Sequence, residues 1–276
     1  MRTSLSVVLA VVGALLLPFA AAALYARERV VDPEHFADRA LEALDEPAVR
    51  RAVEREIVVG VQNRFGAVRA EAAAKVLRPR IEAVIASQQF RRVFRAAALE
   101  TNRRFFVEEQ TNATVDLEAA GPIVRAEVRS VSPRLARQVP RRLDVQLITL
   151  RRDEIWGASL LTADDLRLLG VLLALLTVAA FMAVIAVARS RARALIVVGM
   201  ATAVAAAALG VGLALGREVV VTRLENEGRL TEAELEDAAG ALFDVYLNDL
   251  YAWALVLGVA GVVLVVSGWA LARVRR

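Results

Sequence analysis

Four long apolar runs divide the chain: Leu5–Ala26, Leu166–Ala188, Ala194–Gly216 and Ala252–Ala272. A hydrocarbon core takes roughly 20 apolar residues as a helix, so each run is long enough to span it. The first run is followed by a long stretch in which charged and apolar residues alternate with helical spacing. The last two are separated by an acidic stretch. The predicted architecture is a mainly α membrane protein with four transmembrane helices, an α-rich extracytoplasmic helical bundle and a small two-stranded β element.

Within the charged stretch, Asp32-Pro33-Glu34 reads as a helix start. Asp32 caps, Pro33 suits the first turn and Glu34 complements the dipole. Phe36, Ala40, Leu41 and Leu44 then share a stripe. Asp45-Glu46-Pro47 repeats the signal ahead of Val49, Val53, Ile57, Val61 and Phe65, all at i+4 steps. A third helix, from about Gly66, carries Val68, Ala72, Val76, Ile81 and Val84, with Pro79 set to kink or split it. Ser87 opens a fourth, with Phe90, Phe94, Ala98, Thr101 and Phe105 on one side. Four amphipathic helices with short connections predict a bundle.

Beyond Glu109 the pattern shifts. Thr114-Val115-Asp116-Leu117 has strand character, and Gly121-Pro122 opens a helix interrupted at Ser132-Pro133. Leu143–Leu147 alternates apolar and polar residues after Pro140, as a half-buried strand does. The Val115 and Val145 segments are expected to pair. An amphipathic piece, Asp153–Thr162, leads to the second apolar run.

Between the third and fourth runs, Thr231-Glu232-Ala233-Glu234 fits a capping box. It predicts an outer amphipathic helix at 231–250, with Leu235, Ala239, Leu242 and Tyr246 on one stripe and Asp237, Asp244 and Asp249 elsewhere. The domain reading is therefore an anchor at 1–26, an extracytoplasmic helical domain at 27–165, and a three-span membrane domain at 166–276. The outer helix is expected to cover the base of the helical domain, and the cleft between them is the expected working surface.

Arginines orient the spans. The 189–193 turn and the 273–276 tail carry three each, whereas 217–250 carries three arginines against nine acidic residues. By the positive-inside rule the turn and both termini are cytoplasmic, and 27–165 and 217–250 are outside. Two readings of Leu5–Ala26 compete, a cleaved signal peptide and a retained signal anchor. Its length exceeds a usual signal core and favours the anchor.

Composition strengthens the membrane reading: 57% of the 276 residues are hydrophobic and mean hydropathy is +0.49. The Ala-, Val- and Leu-rich usage is that of a GC-rich bacterial genome, and the spans are expected in the inner (plasma) membrane. Cysteine is absent, so disulfides and thiolate metal sites are excluded. His35 is the one histidine, which removes most metal clusters and histidine-based nucleophilic schemes. It sits in a helix first turn beside Glu34, as a surface residue. Ser87 and Lys75 compose a conceivable dyad, but the context of Ser87 is a helix cap. Glu108-Glu109 and Glu232/Glu234/Glu236 lack a histidine, a cysteine or an oxygen-rich calcium loop. No glycine-rich phosphate loop occurs. No catalytic, cofactor-binding or metal-ligating residue is therefore assigned, and no enzyme activity or cofactor is expected.

The arginine pairs at 91–92, 103–104, 141–142 and 151–152 look basic, yet 27–167 holds 25 basic and 22 acidic side chains. Mixed charge of this kind is an ion-paired solvated face rather than a nucleic-acid site. Some of these pairs are also placed to meet anionic headgroups. The spans lack internal acids, lysines and histidines, which mark proton and ion pathways. Small residues recur at i, i+4 in the third run (Gly199/Ala203, Ala206/Gly210, Gly212/Gly216), with Gly258, Gly261 and Gly268 in the fourth. They predict close packing within the bundle, with a homo-oligomer as the other use.

The segment Ala26-Arg27-Glu28-Arg29-Val30-Val31-Asp32, with Phe36, Leu44-Asp45-Glu46-Pro47-Ala48-Val49 and Val115-Asp116-Leu117, resembles uncharacterised actinobacterial integral membrane proteins. The resemblance covers nearly the whole chain as architecture. It implies the same order of elements: one span, an outer helical domain, two spans joined by an arginine turn, an amphipathic helix and a last span. No activity comes with it. The expected function is a non-enzymatic envelope interaction, assembly or sensing module, in contact with the bilayer and another envelope membrane protein. The alternative is a small-solute or lipid-handling transporter subunit.

Overall fold

The computed structural model describes residues 2–62, 80–108, 110, 112–131, 133–137, 146–151, 163–188, 190–225 and 232–274. Four of its helices are long and apolar enough to cross a membrane: Ser6–Val31, Leu168–Val187, Arg191–Glu218 and Asp237–Val274. The chain forms two compact units. One holds Met1–Arg29, Leu161–Val220 and Tyr246–Arg276, and the other holds Val30–Leu160 and Val221–Val245.

The first unit is built from α1 (Arg2–Ala26), α7 (Ala163–Val187), α8 (Arg191–Glu225) and most of α9 (Glu232–Val274). Between α1 and α7 in chain order lie the elements of the second unit. The packed residues give the directions of the four helices. Ala10, Val184 and Val198 form one buried cluster, with Leu264 against it. Ala21, Tyr25, Leu209, Leu250 and Ala254 form another. The start of α1 therefore meets the end of α7, the start of α8 and the end of α9, so the four spans alternate in direction. The spans outrun their apolar stretches. At 1.5 Å per residue α9 is about 65 Å long, well beyond a hydrocarbon core of about 30 Å. Nothing in 232–251 breaks a helix, so α9 continues from the predicted amphipathic helix into the span without interruption.

Close approach in this unit rests on glycine. A Cβ at Gly199 would lie 2.6 Å from the Gly261 carbonyl oxygen. One at Gly261 would lie 2.7 Å from both the Ala203 nitrogen and the Gly199 oxygen, and one at Gly268 would lie 2.7 Å from the Ala192 oxygen. α8 and α9 thus cross backbone to backbone along part of their length, as small-residue faces allow. Gly210, Gly212 and Gly216 have nothing within 4 Å of a Cβ. The predicted small face is used at its first half only.

The second unit begins where α1 widens into a π-helical turn, Arg27–Val31. Then come α2 (Pro33–Asp45) and α3 (Pro47–Gln62). Residues 80–86 are helical and α4 spans Gln88–Asn102, ending in a second π-helical turn, Arg103–Val107. The caps are those the sequence predicts: Asp32 Oδ1 accepts from the His35 N–H at 3.0 Å, and Ser87 Oγ from the Phe90 N–H at 3.2 Å. β1 (Asn112–Asp116) is followed by a 3-10 turn, α5 (Gly121–Val131) and the short α6 (Pro133–Ala136). β1 pairs antiparallel with β2 (Gln146–Arg151), with Ala113 opposite Leu150 and an irregularity between Thr114 and Asp116. The expected pairing forms, and the second strand runs on past Leu147. Residues 63–79, 138–145, 152–162 and 226–231 lie outside the described residues. The expected Val68–Val76 stripe, the Leu143–Val145 part of the strand, the Asp153–Thr162 piece and the Thr231 cap fall there.

The core of this unit takes one face from each helix. Ala37, Ala40 and Leu44 meet Val49, Val53 and Ile57, then Ile81, Val84 and Ile85, then Phe90, Phe94 and Ala98. Leu117, Val124 and Ala136 close one side, and Val245 of α9 belongs to the same cluster, with Ala241 and Leu242 against it. The sequence reading groups 231–250 with 166–276. The compact unit takes 221–245, with Val245 in its core and Ala241 and Leu242 packed against it.

Candidate functional site

Two features of the second unit stand out: an ion-paired arginine face and a buried polar junction. On the face, Arg95 donates to Asp38 Oδ1 at 2.8 Å and also to Glu34, which raises its pKa above the ordinary value. Arg91 grips Asp45 with two nitrogens, one of them 3.0 Å from Oδ2. That hydrogen bonding holds the Asp45 carboxyl below its usual range. Arg39 pairs with Glu42 at 2.7 Å and Arg104 with Glu100 at 3.0 Å. Of the arginine pairs noted above, Arg91 and Arg104 are thus occupied by carboxylates. Net charge is spread as local pairs, each on a solvent-facing helix surface.

The junction centres on Thr101 and Asn102, both buried at the end of α4. The Thr101 hydroxyl reaches the Ala97 carbonyl at 2.8 Å and the Thr114 carbonyl of β1 at 3.1 Å. Asn102 Nδ2 donates to the Val30 carbonyl at 2.7 Å, across 72 residues of sequence. Val30 lies in the last positions of the first π-helical turn, where carbonyls run out of intrahelical partners. The Asn102 amide therefore caps that end from a distance. Its Oδ1, fully buried, has no hydrogen-bond partner among the described residues. The sequence reading placed Thr101 on the apolar stripe of its helix. It missed Asn102 and both π-helical turns. The role of Asn102 carries no local signal, since its partner lies 72 residues away.

Val115-Asp116-Leu117 acquires a physical meaning here. Val115 and Leu117 are buried, and Asp116 Oδ1 accepts the Glu118 N–H at 2.9 Å, turning the chain out of β1.

The residues considered for chemistry do not converge. His35 is half exposed, with Nδ1 3.1 Å from Asp32. The Ser87 hydroxyl donates to the Val84 carbonyl at 2.6 Å while capping α4, so it is committed to backbone. Lys75 and Glu109 lie outside the described residues, and Glu108 is exposed. Among the described residues, no group of three or more His, Cys, Asp or Glu is placed to hold a metal ion. On the 232–245 part of α9, Ala238 and Ala239 are buried and Val245 is in the core, which leaves Asp237 and Asp244 exposed. Asp237 lies 3.8 Å from Arg51. The expected opposition of an acidic helix and an arginine-bearing neighbour is present as this loose, exposed pair.

In the spans, the hydroxyls of Thr177 and Thr202 donate to the carbonyls one turn back, Leu173 at 2.8 Å and Val198 at 2.9 Å. That satisfies them within their own helices, as an apolar medium requires. The chain matches no family model, no curated protein and no solved structure.

Proposed function

We propose that this is a plasma-membrane protein that presents residues 27–165, with the 217–250 helix, outside the cytoplasm. It acts there without catalysis, as an interaction, assembly or sensing module. Its termini are cytoplasmic, α1 is a retained anchor, and the resemblance to actinobacterial integral membrane proteins belongs to this reading. The observation that carries it is α9. Its residues 241–245 lie in the core cluster of the helical unit, and the same unbroken helix goes on as an apolar span. A catalytic centre would need convergent groups, and Asp32, Ser87, Arg91, Arg95 and Asn102, among the described residues, are spent on caps, ion pairs and the junction.

The test is site-specific photocrosslinking in cells from exposed positions of that unit, Ala83 and Gln89. The expected product is one discrete adduct with another envelope protein, retained when α1 and the arginine turn are left intact. Adducts with lipid only, from both positions, count against the proposal. The transporter alternative draws on the uncovered Gly210, Gly212 and Gly216 face. Reconstituted protein that moves neither solute nor lipid across vesicles removes it.

A further inference from the structure

One end of the four-span unit carries arginines without carboxylates. Arg191 and Arg193 open α8, and Arg273 lies in the last turn of α9; all three are exposed. The helices that bear them touch at this end, since the Ala192 carbonyl lies 2.7 Å from the position a Cβ would take at Gly268. The sequence has no aspartate or glutamate between Arg167 and Arg217, and none after Asp249. These guanidiniums therefore differ from Arg91 and Arg95, whose charges are matched. Arg273 is placed further by its neighbour: its guanidinium carbon sits 3.5 Å from the centroid of the Trp269 ring, a cation–π contact. Trp269 is itself half exposed.

We propose that Arg191, Arg193 and Arg273 form a binding surface for the phosphate headgroup of an anionic phospholipid. Three arguments select a lipid over a free anion. The third apolar span begins at Arg191 and the fourth ends at Val274, so these side chains stand at the level of headgroups. A planar guanidinium pairs with phosphate through two parallel hydrogen bonds, which ammonium cannot do. An indole beside an arginine at a span end is itself an interfacial anchor, apolar on one side and wet on the other. A headgroup here neutralises charge that the chain leaves unmatched, and its acyl chains lie along the apolar faces of α8 and α9. Arg273, held over the Trp269 ring, keeps its guanidinium N–H donors for the phosphate.

The experiment uses the full chain in a neutral detergent, with native mass spectrometry counting retained lipid. Phosphatidylglycerol, phosphatidylcholine and inorganic phosphate are offered separately. Phosphatidylglycerol is expected to be retained at least tenfold more strongly than phosphatidylcholine. The combined R191Q/R193Q/R273Q variant is expected to lose that preference, at about fivefold for each arginine removed. Arg92→Gln, in the other unit, leaves it unchanged. Trp269→Leu, with the three arginines intact, weakens it by a smaller factor. Should the triple variant fail to fold, the natural chain still decides, because its preference for phosphatidylglycerol must fall as salt is raised. Equal retention of the two lipids overturns the proposal, as does a folded triple variant with undiminished preference. Displacement of phosphatidylglycerol by millimolar inorganic phosphate overturns the lipid assignment and leaves a simple anion site.

Discussion

Asn102 shows how one buried amide can hold a junction that no stripe of apolar residues specifies. Its Nδ2 is the donor to the Val30 carbonyl, and nothing else in the described residues replaces it. Asn102→Ala leaves that carbonyl without its donor and opens a small void, so it should cost about 2 kcal/mol of stability. Asn102→Asp should cost more, because a carboxylate cannot donate and its charge would be buried. Thermal and denaturant unfolding of the full chain in detergent checks both, and equal stability of the two variants would remove the capping role. The Asp45–Arg91 pair makes a smaller, pH-dependent contribution. Its carboxyl is depressed by the hydrogen bonds from Arg91, with burial working against them. A depressed acid contributes stability above its ordinary pKa and loses it as pH falls through the lowered value. Asp45 is more than half exposed, so the pair is worth no more than about 1 kcal/mol. Asp45→Asn should therefore be slightly less stable than the natural chain at neutral pH, and the gap should close as pH falls through the lowered pKa and the carboxyl becomes protonated in both states. High salt should narrow the neutral-pH gap.

The crossing of α8 and α9 is decided by backbone contact. Gly261→Val places a branched side chain where a Cβ alone would sit 2.7 Å from two backbone atoms of α8. The helices must part, at a cost of about 1–3 kcal/mol. Gly212→Ala meets nothing within 4 Å and should be neutral within about 0.5 kcal/mol. Melting both variants in the same detergent tests the contrast, and similar losses would mean the face at 212 is covered after all. The two glycines also mark what the sequence can convey. Spacing at i, i+4 identifies a small face, and Gly199 with Ala203 indeed meets Gly261. Spacing does not say where along the helix a partner stops, which depends on how the neighbouring helix crosses. The amphipathic stripes were legible for the same reason: Phe90, Phe94 and Ala98 are buried because their period selects one side of α4. Caps at Asp32 and Ser87 were legible because their chemistry is local. The Asn102–Val30 bond was not, since it joins segments 72 residues apart in sequence. The expected cleft beside 231–250 was read from two amphipathic patterns, and the core membership of Val245 shows that the apolar side of one is used in packing.

At the scale of the whole molecule, two independent lines meet at the arginine end. Packing brings the start of α1, the end of α7, the start of α8 and the end of α9 to one end of the four-span unit. Charge places arginines at that end and, within the same unit, Glu218 and Asp249 at the other. In the proposed orientation these alternating spans keep their basic short loops cytoplasmic. The absence of native cysteine makes the orientation directly measurable, because every label then reports one engineered position. Ala83→Cys, at an exposed site of the helical unit, should react with a membrane-impermeant maleimide in intact cells. Ser190→Cys, in the turn before α8, and Val274→Cys, exposed at the end of α9, should react only after the membrane is opened. The reverse pattern would invert the protein and move the helical unit to the cytoplasm, where an envelope partner could not reach it. Reaction of Ser190→Cys and Val274→Cys from opposite sides would be incompatible with the packing itself, because Ala192 and Gly268 touch and must lie at one depth. The experiment therefore tests the membrane orientation and the helix crossing through separate pairs of positions.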